Sequence, residues 1–320
     1  MPRTVDFMVS YRRILGIVLK YGTSILCLFY VFRGVPFADL GAILLRYPVL
    51  PMLEVVAVSF GAYAVMGLRL SFMADPPLSF RSTFCATLVG LAVNNVLPAK
   101  AGEVVKAVWM GRENGVSSRK TLGIVFMERF FDVNVLALLS LWFLWTMGKH
   151  RATWLFVACL AGGWCVLFFF RAYPARAKAF TDLFGSGGVH RFVSQTLSGV
   201  LENMSPRRLI WLSSTSLTIW CFYSLQMILS VNAVAGLALP WRATLSVFAV
   251  SGLGMLLPSS PGAIGVYEAV IVAALEHYGV GPDEALALAL FSHMAQFLPV
   301  TLAGGIIFAA FPRERYADFT

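Results

Sequence analysis

Two stretches of the chain, Asn94 to Glu103 (NNVLPAKAGE) and Gly254 to Glu268 (GMLLPSSPGAIGVYE), carry the same pattern Leu-Pro-x-x-x-Gly, 160 residues apart (257 − 97) and each inside an otherwise apolar segment. Proline removes a backbone donor and clashes with the preceding helical turn, and glycine lets the chain turn sharply. In hydrocarbon every backbone group freed in this way needs another partner, so such breaks persist only where they line a cavity or are buried in protein. Paired breaks in corresponding places of two halves point to the binding site of a transporter built from repeats.

The solvent around these segments reads as lipid. With 58% hydrophobic and 13% charged residues and a mean hydropathy of +0.76, the apolar stretches are too long for a soluble core. The formal charge of +9 belongs to short loops between apolar spans, the placement that marks cytoplasmic loops, and so points away from nucleic acid. Cys27, Cys85, Cys159, Cys165 and Cys221 lie inside apolar segments, with no CxxC and no histidine at ligand spacing. They read as small core residues, and neither a disulfide nor a metal site is expected. No Walker motif occurs, so ATP is not expected to drive the chain directly, and no cofactor is implied.

The first span, about Ile14 to Phe32, follows Arg12 and Arg13, is interrupted by Lys20 and lacks a small-residue cleavage site, as expected of a retained helix rather than a signal peptide. Val49 to Phe72 spans next. Thr83 to Leu97 reaches only roughly 22 Å of a hydrocarbon core of ~30 Å and does not cross. Thr121 to Met147 and Trp154 to Phe170 cross, and the polar stretch Arg171 to Arg208, with Gly185-Ser186-Gly187-Gly188 as a flexible centre, divides the chain. The second half repeats the order: a span from Leu209 to Ala235, a short run from Leu245 to Leu257, the break, a segment to Tyr278, and a last span from Ala285 to Phe311.

If each short run and the segment after its break form a hairpin that enters and leaves on one side, three crossings separate the repeats, and an odd number inverts them. The expected fold is therefore all-α: one transmembrane domain over 1–320, polytopic, with two inverted repeats at about 49–147 and 209–311. Each repeat contains a broken or re-entrant helical hairpin, and a span plus the polar cytoplasmic segment 171–208 links them. Eight ordinary crossings are the competing count, since hydropathy does not distinguish a short span from a hairpin arm. Arg81, Lys106, Arg112, Arg119 and Lys120, with Arg171 to Arg208, Arg313 and Arg315, place both termini on the cytoplasmic side of an inner membrane. Lys149 and Arg151 run against this assignment, and Arg33 and Arg46 weaken the contrast.

Helices that restart after Gly102 or Gly262 would aim unpaired N–H groups and the positive end of the dipole at a cavity, where phosphate is a favourable guest. Lys100 and Lys106 add point charges, Arg129 offers a fork for phosphate oxygens, and Ser259 and Ser260 supply hydroxyls. Charged residues at membrane depth usually face the bundle interior, so these side chains mark a cavity wall in either case. Other roles remain open for each. Glu103 and Lys106 stand i,i+3 and admit mutual neutralisation; Arg129, beside Glu128 and near Asp132, admits an internal ion pair; Asn94 and Asn95 admit capping of the broken backbone.

Pro98, Pro258, Pro261, Gly262 and Gly265 shape the two tips, and Tyr267 reads as a gating or an ordinary interfacial aromatic. Glu268 has no charged neighbour in sequence and is the candidate protonation switch. His293 and Gln296 share a helix face, and an offset of 164 residues (293 − 129) matches His293 to Arg129. A lone histidine on an apolar helix is either a hydrogen-bonded core residue or a proton carrier. Glu54 is the remaining isolated charge of the second span.

The motif NNVLPAKAGEVVKAVWM, continued by MERFFD at Met127 to Asp132, resembles the signature of the lysylphosphatidylglycerol synthase transmembrane region, a flippase-like integral membrane family. LLPSSPGAIGVYEAV is similar to that family's LPxsPGgiGxxE element, and the resemblance covers roughly Ile14 to Phe311. It implies a lipid-translocating membrane domain. With no soluble aminoacyl-transfer domain after Phe311, the lysyl-transfer reaction is not carried over, and His293 stands where the family often has an arginine, which makes that charge depend on pH.

The expected function is a lipid flippase that moves an anionic or phosphate-linked lipid by alternating access, with membrane lipids and a lipid-biosynthetic enzyme as partners and no catalytic residue. The same positive cavity would serve a secondary transporter of a small soluble anion. An intramembrane enzyme using Glu128, Asp132 and His293 is a third class, for which no HxxxH, HExxH or DxD element is present. Of the two tips, the first, charged by Lys100, Glu103 and Lys106, is expected to hold a headgroup, and the nearly neutral second to gate.

Overall fold

A computed structural model describes residues 21–33, 36–74, 77–98, 100–113, 115, 117–146, 148–254, 257 and 259–310. Residues 14–20 of the first span, Pro258, Arg313 and Arg315 lie outside the described residues. The fold is all-α. Among the described residues, four helices are long and apolar enough to cross a membrane: Val49–Ser71 (α3), His150–Ala172 (α7), Pro206–Val234 and Pro282–Ala310 (α13). The third is α10 (Pro206–Ile228) continued by a π-helical turn, Leu229–Val234.

The chain forms two compact units whose boundaries fall inside α3, α10 and α13. One comprises Val58–Tyr223 with the described residues from Val300 onward; the other comprises the described residues of Met1–Ala57 with Ser224–Pro299.

In the first of these, α4 (Phe80–Val96) starts where the Ser79 hydroxyl accepts a bond from Ser82 N at 3.2 Å. It ends where Pro98 forces Leu97 out of the helical region, to φ −101° and ψ 143°. The chain then folds back as α5 (Ala101–Glu113), packed on α4. Gly102 is required at that crossing, because a Cβ there would overlap the Gly90 carbonyl and the Asn94 side chain. The next helix, α6 (Ser118–Thr146), spans 29 residues and carries Glu128, Arg129 and Asp132 near its middle.

The polar segment is more ordered than its glycines suggest. It folds into α8 (Pro174–Asp182) and α9 (Gly188–Glu202), and α9 packs on α6. The Gly123 and Gly199 backbones touch, and a Cβ on Gly199 would stand 2.5 Å from the Lys120 carbonyl. Lys120 and Glu202 close the contact with an ion pair at 2.7 Å. The apolar residues Val189, Val193, Leu197, Val200 and Leu201 recur at helical spacing and supply the sequence signal for α9.

The other unit holds α1, described over Tyr21–Phe32, and α2 (Phe37–Leu45). It also holds the second broken segment: α11 (Trp241–Gly254), a 3₁₀ turn at Pro261–Ala263, and α12 (Val266–Glu276), which packs on α11. Val55, Val247, Ile271, Leu275, Leu286 and Leu288 form its fully buried centre. The chain enters α12 through Gly265 at φ +87°, where a Cβ would press on the Ser24 carbonyl at 2.5 Å.

Candidate functional site

Within the unit containing the first break, six charges converge from α3, α5 and α6. Arg69 of α3, wholly buried, donates to Asp132 Oδ1 at 2.6 Å, to Ser216 Oγ at 2.6 Å and to Glu128 Oε1 at 2.7 Å. Lys106 donates to Glu128 Oε2 at 2.7 Å and stands 3.1 Å from Glu103 Oε2. Arg129 reaches Glu128 Oε1 at 2.9 Å and Asp132 Oδ2 at 3.1 Å, and its Nε stands 3.9 Å from Glu103 Oε1. Three cations face three carboxylates, so the cluster is neutral as a whole. The side chain of Arg129 is 35% exposed, that of Lys106 4% and those of Arg69 and Glu128 0%, so Arg129 forms its rim.

Asn94 ties the break to this cluster. Its Oδ1 accepts from Gly102 N at 2.8 Å and its Nδ2 donates to Glu103 Oε1 at 3.2 Å. Asn95 instead donates to Thr301 Oγ1 at 2.8 Å. Lys100 stands apart, exposed at the tip with φ +53°, and Pro98 is exposed beside it. The Gly102 amide of the restarted helix is taken by Asn94, and the first turn carries its own carboxylate, Glu103. A phosphate at this terminus would have to compete with that carboxylate.

The unit with the second break holds a smaller buried cluster. Glu268 Oε1 meets His293 Nδ1 at 2.5 Å, and Glu268 Oε2 accepts from Gly265 N at 2.6 Å, capping α12. His293 Nε2 faces the Gly262 carbonyl at 2.9 Å. A carbonyl only accepts, so Nε2 carries a proton, and Nδ1 shares one further proton with Glu268. The Glu268–His293 pair is therefore neutral with one proton between its members. Removing that proton sets a lone pair against a carboxylate; adding another sets donor against donor.

The Tyr267 ring lies 4.6 Å from the His293 ring, its hydroxyl meets Ser292 Oγ at 3.4 Å, and Gln296 Nε2 donates to it at 3.4 Å. Ser260 N donates to Ser24 Oγ at 2.9 Å, while the Ser260 hydroxyl is turned to the carbonyls of Pro261 and Ile264. Ser259 and Pro261 are half-buried in the same tip.

The structure thus gathers Glu103, Lys106, Glu128, Arg129 and Asp132 with Asn94 and Gly102, and separately Gly262, Gly265, Tyr267, Glu268, His293 and Gln296. It leaves Lys100 and Asn95 outside both clusters and Glu54 exposed. Arg69 and Ser216 of the first cluster escape a sequence reading, as do Ser24 and Ser292 of the second. Arg69 is the one charged residue between Glu54 and Asp75 in an apolar span, and a charge in such a place is itself the signal.

An all-α chain that has, among the described residues, four helices of membrane-crossing length and apolarity, and whose buried Arg69, Lys106, Glu128, Asp132 and Glu268 sit in balanced clusters, is an integral membrane protein. The model of the lysylphosphatidylglycerol synthase TM region matches residues 15–304, and the chain belongs to that family. A UPF0104 membrane protein of Methanothermobacter thermautotrophicus is 25% identical over 340 aligned positions, which cover 99% of this chain and 96% of the relative.

Proposed function

We propose that this protein is a flippase that carries an anionic or phosphate-linked lipid across a cytoplasmic (inner) membrane by alternating access. The observation that supports it most is the form of the charge cluster: three cations and three carboxylates neutralise one another, and one member, Arg129, has a third of its side chain exposed. A buried balanced cluster is tolerable in hydrocarbon, whereas an isolated charge is costly. An arriving phosphate takes over the outer face of the Arg129 guanidinium as a fork, and Glu103 and Asp132 are the contacts it releases. Lys106, held between Glu103 and Glu128, supports the cluster rather than meeting the headgroup.

On this reading the two broken segments are re-entrant. At 1.5 Å per residue, α4 and α5 (17 and 13 residues) reach roughly 26 and 20 Å, and α11 and α12 (14 and 11 residues) roughly 21 and 17 Å, all short of a ~30 Å core. Six crossings and two hairpins in two inverted repeats follow, with both termini cytoplasmic. The one-proton Glu268–His293 pair supplies the coupling: exchange of its proton requires the second tip to move off α13. The Tyr267 ring lies against His293, tilted by 33° with 4.6 Å between ring centroids. The chain acts as a carrier rather than an enzyme, and a lipid-biosynthetic enzyme on the cytoplasmic side is the partner that would supply its cargo.

Reconstituted in liposomes with a fluorescent anionic lipid in one leaflet, the protein is expected to move the label to the other, and Arg129→Ala to slow that movement about tenfold, the loss of one charge-assisted contact of ~1.4 kcal/mol. Equal rates for the two proteins, or transport of a soluble anion with no lipid movement, would overturn the reading.

A further inference from the structure

The turn between α8 and α9 exposes an apolar surface that the carrier function does not use. Leu183 is 80% exposed and Val189 60%, and Phe184 and Phe192 stand beside them. The turn is built rather than loose: His190 Nδ1 bonds to the Thr181 carbonyl at 3.0 Å, and Gly185 takes φ +72° to reverse the chain. Because a carbonyl only accepts, His190 donates here and ties the start of α9 to the end of α8. Thr181 and Ala177 are buried beneath, and the far end of α9 is anchored on α6 through Gly199 and Val200.

This surface continues the exposed apolar side of a candidate membrane span. In α7, a membrane-crossing helix whose apolar window is only 11% buried, Phe169 contacts Tyr173 at 5.1 Å between ring centroids. Phe170 contacts Phe180 at 5.3 Å, and Phe180 contacts Phe184 at 5.7 Å. An aromatic stripe therefore runs from the exposed side of a candidate span onto the turn, where an aromatic belt marks the membrane interface. Around it Arg171, Arg176, Lys178 and Arg191 are exposed and form no ion pair among the described residues. Exposed Lys and Arg beside an apolar helical face match an anionic leaflet.

We propose that the α8–α9 turn is an interfacial anchor that inserts Leu183, Phe184, Val189 and Phe192 into the headgroup–acyl boundary and seats Arg171, Arg176, Lys178 and Arg191 on anionic lipid headgroups. It fixes the first turns of α6, the helix that carries Glu128, Arg129 and Asp132 further along, to the plane of the membrane through the Gly123–Gly199 contact. The anchor does not depend on what the protein transports.

The test uses the full chain in nanodiscs of phosphatidylglycerol with phosphatidylcholine, all five native cysteines replaced by alanine and a nitroxide attached at Leu183→Cys or Val189→Cys. Both labels are expected to collide with oxygen and to be shielded from an aqueous nickel chelate. Adding Arg176→Gln, Lys178→Gln and Arg191→Gln is expected to raise their nickel accessibility in these discs and to change nothing in discs of phosphatidylcholine alone. Nickel accessibility equal to that of a nitroxide free in water would overturn the proposal, as would shielding from both reagents, which would put another protein or a second copy on the turn. No effect of the triple substitution would overturn the anionic-lipid part. Unsubstituted protein gives an independent reading: a photoactivatable acyl chain should label the peptide that contains residues 183–192, and labelling of α7 without this peptide contradicts insertion.

Discussion

The carboxylate of Glu268 and the imidazole of His293 meet at 2.5 Å, joining the first turn after the second break to the long helix that follows it. The first break has a counterpart. Glu103, in the first turn of α5, stands 3.9 Å from Arg129 of α6, and the sequence separations are 25 and 26 residues (293 − 268 and 129 − 103). Among the described residues each tip also holds one non-glycine residue at positive φ, Lys100 at 53° and Ala263 at 57°. One architecture, a restarted helix whose leading carboxylate is bound by a cation-forming side chain of the next helix, therefore occurs in both units with different chemistry. In one a permanent cation is held, and in the other a proton.

His293→Ala leaves the Glu268 carboxylate buried without its partner, and removal of one member of a buried pair costs about 3–5 kcal/mol. The apparent melting temperature in lipid or detergent is expected to fall markedly. Replacing both residues together, as Glu268→Leu with His293→Leu, should recover most of the loss, because no charge is then stranded. If the double variant is as unstable as the sum of the single ones, the two side chains are not coupled.

Glu268→Gln keeps the Gly265 cap in reach of an amide oxygen but removes the group that shares the proton. Transport by this variant should lose the pH dependence of the parent protein while the fold is retained. A rate-against-pH curve that superimposes on that of the parent contradicts the coupling role.

Arg69→Met removes the cation that joins Asp132, Glu128 and Ser216, leaving the three carboxylates Glu103, Glu128 and Asp132 with two cations, Lys106 and Arg129. A destabilisation of about 3–5 kcal/mol is expected. Arg69→Lys should recover little, since an ammonium lacks the planar fork that serves three acceptors at once. Size-exclusion profiles and thermal unfolding separate these outcomes; full stability in Arg69→Lys speaks against the fork.

Gly102→Leu drives a side chain into the Gly90 carbonyl and Asn94, which forces α4 and α5 apart and pulls Glu103 from Lys106. Cysteine cross-linking between the two helices should drop in this variant relative to Gly102 protein. An unchanged yield means that the hairpin does not depend on the crossing.

The two breaks were legible because proline and glycine act locally: Pro98 sets the conformation of Leu97 whatever surrounds it. The i,i+3 pairing of Glu103 with Lys106 and the ion pairs of Arg129 with Glu128 and Asp132 were also within reach of helical spacing. Arg69 was not, since its carboxylate partners lie 59 and 63 residues away and Ser216 147 residues away, separations that tertiary packing alone closes. The same holds for the partner of Glu268. Helix α9 was hidden by composition, as the four small residues Gly185 to Gly188, the last of which opens the helix, read as a flexible centre while its apolar period began just after them.

The most direct measurement is mass spectrometry of the lipids that co-purify with the protein, compared between the parent and Arg129→Ala at equal folded yield. The parent is expected to retain an anionic or phosphate-linked lipid above its abundance in the membrane, and folded Arg129→Ala, which lacks the rim cation with a third of its side chain exposed, to lose that enrichment. Equal enrichment in both proteins, or none in either, contradicts a headgroup site at Arg129.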